Sequence, residues 1–280
     1  MSFRRRKINI PLVKGAVMGF FGVVLGTWGG FTGLGTQMPA AGLIEAMLGL
    51  RPERVAGASA FFGLLTSAAA VAGARFSGMQ FHWMQAVLLA VSAAIGAMIG
   101  VRGSQMHAAR IFRKAVLTLA MFGALAFMGP AFHASQLPSA TEVGPFATPA
   151  GYVLVGFWAG LLSALFEVPA GVLIILAVAR LCGAGSAPSI VYALAVAGLA
   201  GILPTLVHLL AGTVPGGAAG WMYVGGSVGA AVSGAVLARL PAGSVLPVIA
   251  FGLSGAYLCA WRLWRLGSEE GLGPSRAGRV

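Results

Sequence analysis

Few side chains in this sequence stand where their chemistry could be used. Two short polar interruptions do so, Thr36-Gln37 before Pro39 and Phe166-Glu167 before Pro169. A helix starting near each proline would expose free backbone N–H groups and a partial positive charge, a cradle for a sulfonate or carboxylate. Two such ends, one from each half of the chain, would face each other. Glu167 is an acid inside an apolar stretch, where a charge is expensive, so it must pair or take up a proton. As a fixed charge it would repel an anion. As a protonatable carboxyl it could couple proton binding to anion binding, and it is equally compatible with a cationic or zwitterionic substrate. Ser59 and Ser189 could donate to an anion oxygen or bond back to their own helices. Trp28 and Trp158 could wall a cavity or pack as a pair, and His208 could relay protons or sit at an interface. There is no HExxH, CxxC or Walker A pattern and no cluster of acids, so catalysis, a metal site, a cofactor and direct ATP drive find no support.

The elements that must hold these residues are membrane helices. The chain has 280 residues, 58% of them apolar, a mean hydropathy of +0.91 and only 9% charged residues. A water-facing surface needs roughly 25% charged residues, which excludes a soluble enzyme, a disordered protein and a secreted disulfide scaffold. The net charge of +12 sits at the ends of apolar stretches, where it orients helices, so nucleic acid is not the expected partner. Cys182 and Cys259 lie in apolar surroundings and read as packed thiols.

The apolar stretches predict crossings at 12–35, 54–74, 83–101, 111–130, 150–166, 187–211, 219–238 and 244–264, with short segments at 39–50 and 169–182. The short ones, each starting at a proline, predict broken half-helices. The basic start reads as an uncleaved first helix rather than a signal peptide. Arg4, Arg5, Arg6, Lys7 and Lys14 place the N-terminus in the cytoplasm. With ten crossings, all of the 18 basic residues but Arg75, Arg180 and Arg239 fall inside, the C-terminus included. The expected divisions are a basic N-terminus at 1–11, a first repeat at 12–130, an external linker at 131–149, a second repeat at 150–265 and a disordered cytoplasmic tail at 266–280.

The two halves resemble each other. An offset of 130 pairs Gly26 with Gly156, Trp28 with Trp158, Gly30 with Gly160, Pro39 with Pro169 and Ser59 with Ser189, and aligns Gln37 with Glu167. Trp83 pairs with Trp221 at 138, and Arg102 with Arg239 at 137. Five segments is an odd number, so the second half must be upside down. The fold expected is an all-α polytopic membrane protein of two inverted repeats of about five segments, each with a broken half-helix. That pattern belongs to secondary transporters working by alternating access.

The stretch GVVLGTWGGFTGLGTQMP at 22–39, the AGAS at Ala56–Ser59 and their degenerate second copy resemble the TauE/SafE family, the sulfite exporter and 4-toluene sulfonate uptake permeases. Family members commonly read G-x-G-G-G before the proline and A-x-x-T-S after it. Here Gly35–Met38 and Leu165–Val168 depart from the first pattern, and Ala58 and Pro188 from the second. The resemblance implies a transporter of a small organic or sulfur-containing anion in the inner membrane. The substrate-binding candidates are Thr36, Gln37, Ser59, Glu167, Ser189, Trp28 and Trp158. Glu167 and His208 are the candidates for proton coupling. A proton or another ion would drive transport, and a homodimer is compatible with the Gly-rich faces. The alternatives are an anion channel, a carrier of a zwitterion or cation and, less favoured, an intramembrane enzyme or assembly factor.

Overall fold

A computed structural model describes residues 10–104, 107–129, 146–241 and 244–271. Among them are ten helices: α1 (Ile10–Thr32), α2 (Gln37–Leu48), α3 (Pro52–Phe76), α4 (Trp83–Gly103), α5 (His107–Ala126), α6 (Pro149–Phe166), α7 (Ala170–Leu181), α8 (Ser186–Leu210), α9 (Ala218–Arg239) and α10 (Val245–Gly271). Among the described residues seven helices are long and apolar enough to cross a membrane. They are α1, α3, α4, α6, α8, α9 and α10.

Several expectations are corrected. The segment expected at 111–130 is α5, which is not among the seven candidates found among the described residues. The short helices are not opened by their prolines. α2 begins at Gln37 with Pro39 inside its first turn, and Pro169 is the residue before α7. Proline lacks an N–H and has a fixed φ, so both places suit it. α10 continues past Leu266 to Gly271, so the expected tail starts later than 266; residues 272–280 lie outside the described residues. So do residues 1–9 of the basic N-terminus and most of the linker at 131–149, although α1 already begins at Ile10.

The chain forms two compact units. The first contains α1 as far as Phe31, α2, α3, α8 from Ala197 onward, and α9. Glycine sets the distance at which these helices pack. A methyl group on Gly22 would strike the carbonyl of Met222, one on Gly26 that of Gly226, and one on Gly30 would overlap Ser233 and Ala230, so α1 lies backbone to backbone on α9. α9 in turn lies on α3, where Gly73 meets the carbonyl of Ala231 and Gly234 that of Ala70. Lipid is as apolar as leucine, so close packing and dispersion, rather than expulsion of water, hold such pairs. Met18, Ile44, Phe62 and Met222 fill the core between them.

The second unit contains residues 32–34, α4, α5, α6, α7, the start of α8, and α10. Here α6 lies on α4 in the same manner. Gly156 meets Leu89 and Ser92, Gly160 meets Ala93, and in return Gly96 meets the carbonyl of Phe157. α5 packs along α10. The two docking registers correspond. An offset of 130 carries Gly26 and Gly30 onto Gly156 and Gly160, and one of 137 carries Leu89 and Ala93 onto Gly226 and Ala230. The helix pair α1–α9 is thus built like α6–α4, each inside its own unit. Cys182 and Cys259 are free and buried.

Gly30→Leu and Gly160→Leu should each destabilise the fold by at least about 1–3 kcal/mol, since an overpacked contact that cannot relax costs that much. Trp158→Leu, at a side chain 54% exposed, should not. The temperature at which the monodisperse peak of detergent-solubilised protein is half lost checks this; equal midpoints for all three variants would refute the packing described.

Candidate functional site

The break between α1 and α2 opens at Thr32 and closes at Gln37, with Gly33 and Gly35 at positive φ. The Thr36 hydroxyl is 3.0 Å from that of Thr66, and both residues are buried. Thr66 already donates to the carbonyls of Phe62 at 2.9 Å and Gly63 at 3.2 Å, so Thr36 is the donor in the pair and keeps its lone pairs. The Gln37 side chain lies over Gly63, at a place where any Cβ would displace it. Gly63 and Thr66 stand near the middle of the 25-residue α3. The start of α2 is therefore level with the middle of a membrane span, not with its external end. No side chain caps α2, in contrast to α6, where Thr148 accepts from the Gly151 N–H at 3.1 Å. At 12 residues α2 is about 18 Å long against a hydrocarbon core of about 30 Å, as is α7.

In the second unit the break between α6 and α7 is held by Ser163, whose hydroxyl donates to the carbonyl of Val168 at 2.8 Å. Glu167 is the only non-glycine residue at positive φ among the described residues, with φ 60°. Glycine normally takes this left-handed cap, and another residue there costs about 1–3 kcal/mol. The Glu167 side chain makes up for that. Its Oε1 lies 2.6 Å from Nη1 of Arg113 on α5, and its Oε2 pairs with Nη2 of Arg262 on α10. The three side chains are 30%, 14% and 21% exposed. Leu117, Val168 and Cys259 form a buried apolar cluster beside them, with Phe166 and Leu263 packed against it. Also in this unit, Gly33 and Leu34, from the break after α1, lie against Gly171 in the first turn of α7.

The remaining candidates are placed elsewhere. The Ser59 hydroxyl donates to the carbonyl of Ala56 at 3.1 Å, and that of Ser189 to Gly185 at 2.8 Å, so both serve their own helices. Trp28 is half-buried, whereas Trp158 is exposed on its helix face beside Phe157, where a lipid-facing aromatic belongs. The Nδ1 of His208 is 2.8 Å from the Thr213 hydroxyl, which donates to the His208 carbonyl at 3.1 Å; this closes the end of α8. Arg113, Arg262 and Thr66 were not among the residues expected from sequence. The two arginines had been counted only as orientation markers. Their signal was the single acid that apolar packing would have to balance. No group of three or more potential metal ligands occurs among the described residues.

Seven helices of spanning length among the described residues, one of them followed by a break with polar groups, define a polytopic helical membrane protein. Residues 1–127, which take in α1 through α5, match the family model described as sulfite exporter TauE/SafE, the family that the sequence resembles. Comparison with curated proteins and with solved structures gives no significant match.

The ion triad makes its own prediction. Arg113→Ala leaves a carboxylate short of one partner in apolar surroundings, and breaking a partly buried pair of this kind costs about 3 kcal/mol before discounting for its residual exposure. Denaturant or thermal unfolding in detergent should show a loss of at least about 1 kcal/mol; an unchanged midpoint would mean that the pair contributes nothing.

Proposed function

We propose that the chain is a secondary active transporter. It moves a small organic or sulfur-containing anion, a sulfonate, sulfite or similar, across the cytoplasmic membrane by alternating access between two inverted five-segment repeats. The observation that carries this reading is the break after α1. It presents an uncapped helix start, the Thr36 hydroxyl and the Gln37 amide at the level of the middle of α3. Irregular backbone is tolerated at that depth only where protein or a water-filled cavity satisfies it. N–H groups without carbonyl partners, with hydroxyl and amide donors beside them, suit a tetrahedral oxyanion.

The repeat is supported by the equal docking registers of α1 on α9 and α6 on α4, each with a 12-residue helix following. Five segments per repeat support inversion, as does the distribution of basic residues, which favours cytoplasmic termini. The family match supports transport of sulfite or sulfonates as the class of cargo.

The test is uptake of labelled taurine, sulfoacetate and sulfite by proteoliposomes. Saturable uptake is expected. Thr36→Val and Gln37→Leu should each lower kcat/KM about tenfold, the loss of about 1.4 kcal/mol of hydrogen bonding to a charged group. Ser59→Ala and Ser189→Ala should stay near wild type, because those hydroxyls are spent on their own helices. Steady conductance without saturation would make the protein a channel, and no movement of any of these anions would overturn the assignment.

A further inference from the structure

One end of the second unit is closed by aromatic side chains. Four helix ends come together there. Gln85 stands in the first turn of α4, Tyr152 in the first turn of α6 and Tyr192 in the second turn of α8, while Cys182 caps the end of α7. Phe81, Tyr152, Cys182 and Tyr192 are buried, although His82 beside them is exposed. The ring of Tyr192 meets that of Phe81 edge to face at 5.9 Å and that of Tyr152 at 5.7 Å. The Tyr192 hydroxyl accepts the His82 N–H at 3.2 Å and donates to the Gln85 side-chain carbonyl. The Cys182 thiol is close enough to both tyrosine hydroxyls to interact with them electrostatically. Arg102 lies at the opposite end of α4, which favours the outside for this end.

The hold on α8 here differs in kind from the glycine seams. α4 turns its glycines towards α6: Gly96 meets Phe157, Gly100 meets Leu161 and Gly103 meets Leu165. Interlocked backbones of that sort cannot slide. The part of α8 in this unit, residues 186–196, contains no glycine. Both hydrogen bonds described between it and the start of α4 use one oxygen, the Tyr192 hydroxyl. Such a tie is weak beside a packed seam, because water can replace either partner. The first unit is built otherwise. The offset of 138 that pairs Trp83 with Trp221 carries Gln85 onto Tyr223, whose hydroxyl donates to the carbonyl of Pro215 just before its own helix at 3.2 Å. There α9 is fixed to α3 by Gly73 and Gly234 instead. A carrier that alternates must close each face with contacts that can part. Building on the reading of the protein as such a transporter, we propose that Tyr192 is the latch of this mouth. Its hydroxyl, bonded to Gln85 and to the His82 backbone, holds the start of α8 to α4, and release of those bonds opens the mouth and uncovers Cys182.

Cys182 supplies the readout. The chain has two cysteines, so Cys259→Ala leaves Cys182 as its single thiol. The experiment is the rate at which a membrane-impermeant methanethiosulfonate labels that thiol in the full-length protein, in vesicles of either orientation. In the parent the rate should be slow. Tyr192→Phe keeps the ring and removes both hydrogen bonds, and should speed labelling about tenfold, from the outer face alone. Gln85→Leu leaves both tyrosine rings in place and should act in the same direction, which guards against a folding defect peculiar to the first variant. Ser104→Ala removes a hydroxyl spent on the Val101 carbonyl at the other end of α4 and should leave the rate unchanged. A rate indifferent to Tyr192→Phe and Gln85→Leu would overturn the latch. So would a rise seen equally from both faces, which marks general loosening, or from the cytoplasmic face alone. Each of these results leaves the anion transporter standing, because labelling is measured without cargo. No uptake of any of the anions by folded protein in liposomes would overturn both.

Discussion

A bilayer interior offers backbone N–H and C=O groups no partner, so a helix interrupted at mid-depth must be compensated by the protein around it. That constraint organises the chain. Two helices, α2 and α7, are too short to cross and start after breaks. Around the first, Thr36 and Thr66 share a hydrogen bond and Gln37 rests on Gly63. Around the second, Ser163 ties down Val168, and Glu167 is held between two arginines. The same task is met once with neutral donors and once with ions.

Placing such breaks requires helices that approach closely, and the glycines make this possible. At Gly22, Gly26 and Gly30 the backbone of α1 touches that of α9, and at Gly156 and Gly160 α6 touches α4. A helix fixed so tightly in the turns that lead up to it delivers its C-terminal break to a defined place. The chemistry at Glu167 depends on that placement, because an ion pair among apolar side chains is favourable only with good geometry. The apolar residues Leu117, Val168 and Cys259 sharpen the interaction by keeping water away.

Much of this was legible in the sequence. Composition established a membrane protein, and the prolines at 39 and 169 marked both breaks to within two residues. The offset of 130 anticipated the glycine register that relates the two helix pairs. Glu167 could be identified from its cost alone. Its partners could not, since Arg113 and Arg262 are far apart in the chain and looked like ordinary orientation charges. The exposure of Trp158 was hidden for a related reason. An aromatic on an apolar helix reads alike whether it faces protein or lipid, so the half-buried setting of Trp28 and the exposure of Trp158 could not be told apart. The hydroxyls of Ser59 and Ser189 donate to their own backbone, the alternative that a helical serine always offers.

The central claim is that the break after α1 is where cargo binds. Its most direct test is chemical accessibility of Gln37→Cys in a background with Cys182→Ala and Cys259→Ala, using a membrane-impermeant thiol reagent on vesicles of either orientation. The account predicts modification from both faces of the membrane, slowed by methanesulfonate in proportion to its occupancy. A thiol that reacts from neither face, or whose reaction ignores the sulfonate, would contradict it.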